Sequence, residues 1–189
     1  EEAYFPVTVM DNPESHNEED LLEKIEQEFE TGDYLAVWIE PLLQKTLKRV
    51  SVSFLKELKK LCQKFDLPLV YNETASQMYR YSDDHYFLSN VSELRPDCGL
   101  AYMGGQAAFV YCSDEYFLEK PLMMISTWDG DEFSLGCYHR AMTMIEKDHG
   151  KFKELRKNFD KKLKDVLEKY PTNHIEIVNG VGYFKGKIP

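Results

Sequence analysis

Four short stretches hold the polar residues that could do chemistry. They are Glu40-Pro41, Asn72-Glu73, the run from Pro96-Asp97 to Tyr102-Met103-Gly104-Gly105, and Ser126-Thr127-Trp128-Asp129-Gly130. Most follow an apolar, β-prone run, and in parallel α/β sheets ligands gather just beyond the carboxyl ends of the strands. Each stretch alone is a weak signal. Asp, Asn and Glu at a strand end often cap the next helix, and a glycine pair says only that the backbone turns tightly. Other chemistries find less. The Asp129-to-Glu132 acidic run lacks the spacing of a calcium hand, and Ser126 lacks the glycines of a nucleophile elbow. Cys137 and His139 point apart if they lie on a helix, and no ligand spacing resembles a zinc site, so no metal is expected.

The elements that must position these stretches alternate, which predicts an α/β fold. A first helix is expected over Glu18–Phe29, with Leu21, Leu22, Ile25 and Phe29 on one face and Ser15 with Glu18 as its capping box. Tyr34–Ile39 reads as a strand covered on both faces. A second helix spans about 53–65, with Phe54, Leu58, Leu61 and Phe65 as its buried stripe. Further strands are expected at Leu67–Tyr71, Cys98–Tyr102, Ala107–Cys112 and Leu122–Ser126. Helices follow at Glu132–Lys147 and Lys151–Tyr170, the second ended by Pro171. His174–Val178 is a final strand before a Gly180-Val181-Gly182 turn. The change in character near His149-Gly150 suggests two parts, 1–148 and 149–189.

With 33 acidic and 23 basic residues the formal net charge is −10, which disfavours nucleic acid and anionic membrane surfaces as partners. The lysines of 147–169 alternate with acids, as on a solvated helix face. No apolar run approaches the roughly 20 residues that span a bilayer, and Glu1-Glu2-Ala3-Tyr4 lacks the features of a signal peptide. The four cysteines are scattered without a CxxC pair, the usage of a reduced, cytoplasmic protein.

The order and spacing of the four stretches resemble the class III, fold-type I aminotransferases. Their central run is a strand ending in Glu-Pro, a helix with Leu-Cys, and a strand ending in Asp-Glu-Val. An Arg in a glycine-rich loop follows, then Pro-Asp, Gly-Lys with glycines behind it, and Ser-Thr-Phe. The matching residues are Glu40-Pro41, Leu61-Cys62, Asn72-Glu73-Thr74, Arg80, Pro96-Asp97, Tyr102-Met103-Gly104-Gly105 and Ser126-Thr127-Trp128. The match covers about residues 34–148, and Tyr170 to Phe184 resembles the start of the family's small C-terminal domain. The resemblance implies a three-layer α/β/α fold with a mostly parallel sheet, the cofactor-binding large domain of the family.

The family binds pyridoxal phosphate (PLP) through a lysine imine and sets an aspartate against the ring nitrogen. At the lysine position this chain has Met103, whose thioether forms no imine, and at the aspartate position it has Asn72. No lysine occurs between Lys64 and Lys120. The glycines around the Arg are replaced by Gln77 and Tyr79, and the one before the lysine by Tyr102. Asn72, Glu73 and Thr127 are the retained or altered cofactor positions, Thr127 matching a residue that reaches the cofactor phosphate of the neighbouring subunit. Glu40 and Arg80 line the cleft. These departures predict a non-catalytic aminotransferase-like domain, without covalent PLP, that acts in dimerisation or protein interaction. Its partner would be a second copy or an aminotransferase-like N-terminal half. The alternative is a transaminase, or a remodelled enzyme taking a small amino acid or keto acid in the former cofactor cleft.

Overall fold

The computed structural model describes residues 7–13, 17–104, 108–117, 119, 132–172, 174–178 and 181–184. Helix α1 runs over Glu18–Thr31 and turns Leu21 and Ile25 inward. The expected capping box does not form as such. Ser15 lies outside the described residues, Asn17 at the cap makes no side-chain cap bond, and Glu18 accepts a hydrogen bond from the Ser51 hydroxyl at 2.8 Å. Ser51 in turn caps α2 (Val52–Lys64), accepting from the Phe54 N–H at 3.0 Å. One serine thus ties the two helices together and supplies an orphan helix N–H with a partner. The buried stripe of α2 is Phe54, Leu55, Leu58 and Cys62. It is rotated slightly from the expected one, because Leu55 and Cys62 meet the sheet while Leu61 stays at its edge.

Four strands form one sheet in the order β1 (Val37–Ile39), β2 (Leu69–Asn72), β3 (Cys98–Tyr102) and β4 (Ala108–Cys112). The first three are parallel, and β4 turns back antiparallel to β3. The α/β class and the mostly parallel sheet are therefore as expected. Strand β1 is shorter than the sequence run, since pairing with β2 begins only at Val37 opposite Leu69 and Leu35 is exposed.

Registers assign each side chain to a face, because alternate residues of a strand point opposite ways. Leu69 and Tyr71 of β2, with Val37 and Ile39 of β1, face α1 and α2 and build the main core with Phe54, Leu55, Leu58 and Cys62. Burial there pushes the Cys62 thiol up to about 12, with Asp97 adding to the rise. The Tyr81 hydroxyl donates to the Val50 carbonyl at 2.6 Å, and burial raises this phenol to about 12 as well. Ala101 of β3 joins Tyr79, Tyr86 and Phe87 in a second buried cluster, packed by Met142 and Ile145 of α3 (Glu132–Lys147) and Phe152 of α4 (His149–Lys169).

The opposite face of the sheet differs. Trp38, Val70, Asn72, Cys98, Leu100, Tyr102, Val110 and Cys112 lie on it by register. Trp38 is 58% and Val110 68% exposed. Val70 and Leu100 belong to neither core cluster. The layer that would cover this face is not among the described residues. The expectation is that Tyr34–Ile39 is covered on both sides; among the described residues one side of β1, at Trp38, is left exposed.

A hairpin of β5 (Ile175–Val178) and β6 (Val181–Phe184) ends the described chain. Val181 and Gly182, expected in a turn, are the first residues of β6 and pair with Val178 and Ile177. The expected strand Leu122–Ser126 falls outside the described residues. No described helix is long and apolar enough to cross a membrane.

Candidate functional site

Three strand ends bring the predicted residues into one neighbourhood. Glu40 follows β1, Asn72 closes β2 with Glu73 and Thr74 behind it, and Met103 follows β3. Parallel pairing of β1, β2 and β3 places these ends side by side.

Glu40 and Asn72 meet. The Asn72 amide Nδ2 donates to Glu40 Oε1 at 3.2 Å, while its Oδ1 accepts from the Thr74 N–H at 3.1 Å. Glu40 Oε2 accepts from the Gln44 N–H at 2.8 Å. An amide does at this position what a carboxylate would not, since an aspartate beside Glu40 would set like charges together. Both ends of Asn72 are thus spent within the protein.

Glu73 points the other way, into the helix-covered side. It is 0% exposed. Its Oε1 accepts from the N–H groups of Leu88 at 2.5 Å and Ser89 at 3.1 Å, and its Oε2 from the Tyr111 hydroxyl at 2.7 Å. The carboxylate pins the short helical turn at Leu88–Asn90 and strand β4 to the end of β2. Strand alternation explains why neighbours Asn72 and Glu73 serve different faces.

Thr74 and Gln77 tie β2 to β3. The Thr74 hydroxyl accepts from the Tyr102 N–H at 3.1 Å, and Gln77 Nε2 donates to the Tyr102 carbonyl at 2.8 Å and to the Thr74 carbonyl at 3.1 Å. Met103 is held by its backbone. Its N–H donates to the Tyr138 hydroxyl of α3 at 3.1 Å, and that hydroxyl donates to the Gly104 carbonyl at 2.6 Å. Gly104 has a φ of 104°, so the turn after β3 uses glycine where a side chain would be strained. Tyr138 and the tie through Gln77 were not singled out by sequence reasoning. A tyrosine in mid-helix and a glutamine at a glycine position carry no spacing signal for such contacts.

Arg80 does not reach Glu40. Its guanidinium turns back on its own loop, with Nη1 near the carbonyls of Thr74 and Ala75 at 3.5 and 3.4 Å. Burial and then the Arg156 guanidinium hold its pKa below the usual arginine value. Arg49 braces the same loop by donating from Nε and Nη2 to the Arg80 carbonyl at 3.1 and 2.8 Å. Thr127 lies outside the described residues, as does Gly105. A hollow of about 210 Å³ does exist, but on the helix-covered face, lined by Phe87, Ser89, Asn90, Arg95, Phe109 and Tyr111 rather than by the strand-end residues.

The loop around Arg80 keeps a backbone suited to glycine although the glycines are gone. Met78 and Tyr79 have φ of 63° and 60°, the left-handed region that costs an L-residue roughly 1–2 kcal/mol. Tyr79 offsets that cost by burying its ring edge-on against Tyr86 and His149, at 5.6 and 5.2 Å between centroids. Met78 is 43% exposed, and its sulfur has only a weak contact from the Arg80 Nη2 at 3.6 Å to set against that cost. Met78→Gly is therefore expected to stabilise the fold by about 0.5–1 kcal/mol, relief of strain exceeding the added chain entropy. A thermal melt showing no gain or a loss would contradict it.

No family model matches the chain, and no curated protein matches it in sequence. Solved structures do match. Ornithine δ-aminotransferase from Plasmodium falciparum superposes with a TM-score of 0.61 at 20% identity, over 82% of this chain and 42% of that one. Lysine aminotransferase from Mycobacterium tuberculosis, in its internal aldimine form, gives 0.66 at 20% identity over 86% and 39%. Ornithine aminotransferase from Toxoplasma gondii, with PLP at partial occupancy in its active site, gives 0.63 at 17% over 92% and 41%. At such identities the likeness is one of fold. The chain has the α/β fold of the ornithine and lysine aminotransferases, over a span of about two fifths of their length.

Proposed function

We propose that this chain is a non-catalytic aminotransferase-like scaffold that works by protein interaction, pairing with a second copy or with an aminotransferase-like N-terminal half. The observation that carries the reading is the strand-end cluster. Where the aminotransferases use an imine-forming lysine, Met103 offers a thioether, and its backbone is clamped by Tyr138. Where they set a carboxylate against the cofactor ring, Asn72 spends both amide atoms on Glu40 and Thr74. Glu73 is turned into the core. These residues do not fit PLP: the set offers neither the amine for a covalent link nor a free carboxylate to stabilise a ring cation.

The open sheet face supports the interaction half of the reading. Sheets built of parallel strands are ordinarily covered on both faces, and here Trp38, Tyr102 and Val110 stand exposed on one face. Exposed patches of this kind mark contact surfaces. A cytoplasmic setting and a division near residue 148 belong to the same proposal.

Incubation with PLP, borohydride reduction and intact mass form the test. The expected result is a spectrum of free PLP and an unchanged mass. An imine absorption band, with a reduced adduct on a single lysine, would restore the transaminase reading and remove this one.

A further inference from the structure

Two of the scattered cysteines are neighbours in the sheet. Cys98 begins β3, Cys112 ends β4, and the antiparallel register sets them directly opposite one another. The kind of pair they form follows from the next position. The Ser113 N–H donates to the Asp97 carbonyl at 2.8 Å, while the Asp97 N–H turns to the Leu69 carbonyl at 3.0 Å, so this position carries one bond of the hydrogen-bonded kind across to β4. Pairs alternate along an antiparallel ladder, which makes Cys98 and Cys112 a non-hydrogen-bonded pair. In such pairs the Cα atoms are about 4.5 Å apart and the side chains lie close on the same face. Disulfides need Cα separations of about 4.4–6.8 Å. Both thiols are free and only partly buried. The Cys98 thiol pKa is raised, by burial first and next by Cys112, as expected of adjacent sulfurs.

We propose that Cys98 and Cys112 form a reversible disulfide across β3 and β4, made and broken by exchange with a small-molecule disulfide. The oxidant is of the glutathione class, RSSR. One cysteine thiolate attacks RSSR and expels RS⁻, leaving a mixed disulfide. The second thiolate attacks the protein-bound sulfur of that mixed disulfide and expels another RS⁻. The protein gives up two electrons and two protons, and RSSR becomes two RSH. The bond closes a loop that contains Met103 and Gly104, so it braces the turn at the end of β3. The inference does not depend on the interaction reading, since it rests on the register alone. Cys62, 1% exposed, and Cys137, exposed on α3, serve as internal controls.

The test is oxidation of the purified chain with oxidised glutathione, alkylation of the remaining thiols, and chymotryptic mapping, which separates the two cysteines by cutting after Tyr102. The expected product is a cross-linked peptide pair carrying Cys98 and Cys112, lost on adding dithiothreitol. The oxidised protein should melt roughly 5–10 °C above the reduced one. Cys112→Ser should stop at a glutathione adduct on Cys98 and show no such rise, and Cys98→Ser should give the mirror result. Separate glutathione adducts on both cysteines, bridges to Cys137 or to another molecule, or no oxidation at all would overturn the proposal.

Discussion

Glu73→Ala is expected to destabilise the fold by about 4 kcal/mol, a large part of the roughly 5–15 kcal/mol that keeps a domain folded. The carboxylate is wholly buried and serves three donors, the N–H groups of Leu88 and Ser89 and the hydroxyl of Tyr111. Removing it leaves the buried Leu88 N–H unmet and takes the partner from the half-buried Ser89 and Tyr111 donors, and a buried donor left unmet costs about 1–3 kcal/mol. The loss also frees the turn at Leu88–Asn90, which packs Phe87 and Leu88 into the two core clusters. Glu73→Gln keeps one acceptor oxygen but sets an NH2 against a donor, so about half that loss is expected. Urea unfolding of the three proteins provides the measurement. A loss below about 1 kcal/mol for Glu73→Ala would mean that water replaces the carboxylate, and that the Glu73 hub does not hold the fold.

Much of the architecture was legible because it rests on periodicity. The runs at Cys98–Tyr102 and Glu132–Lys147 appear with the predicted bounds, since alternation and helical spacing are local properties. Glu40, Asn72 and Met103, the residues that the resemblance named, lie at or just past the ends of β1, β2 and β3. What the sequence hides is the direction of each side chain. Asn72 and Glu73 are adjacent in the chain, yet one joins the strand-end network and the other becomes a core hub, a split set by side-chain alternation along the strand, with Leu69 and Tyr71 on the core side. The resemblance makes Arg80 a cleft residue. Its guanidinium turns instead to the Thr74 and Ala75 carbonyls of its own loop, just past the left-handed backbone at Met78 and Tyr79. The open face was invisible for a different reason. A continuous apolar run such as Tyr34–Ile39 reports that a strand needs cover, not whether the same chain supplies it.

The strand that carries Met103 to the site depends on a single missing methyl group. A Cβ on Gly99 would lie 2.2 Å from both Cζ and Oη of Tyr111 and 2.7 Å from its Cε1, far inside contact distance. The tyrosine ring can give way only toward the hollow it lines, and only by straining or losing the bond of its hydroxyl to Glu73. Gly99→Ala must therefore displace the ring and break that hydrogen bond, or part β3 from β4. Overpacking typically costs 1–3 kcal/mol and the broken bond adds about 1 more, so a loss of about 3 kcal/mol is expected. The mechanism is separable from mere intolerance of β3 to change. In a Tyr111→Ala background the clash has no partner, and the same Gly99→Ala step should cost under about 1 kcal/mol, leaving a coupling of about 2 kcal/mol in a double-mutant cycle. Equal losses in both backgrounds would mean that the glycine is needed by the backbone of β3 itself, and that the Tyr111 ring is not what excludes a side chain there.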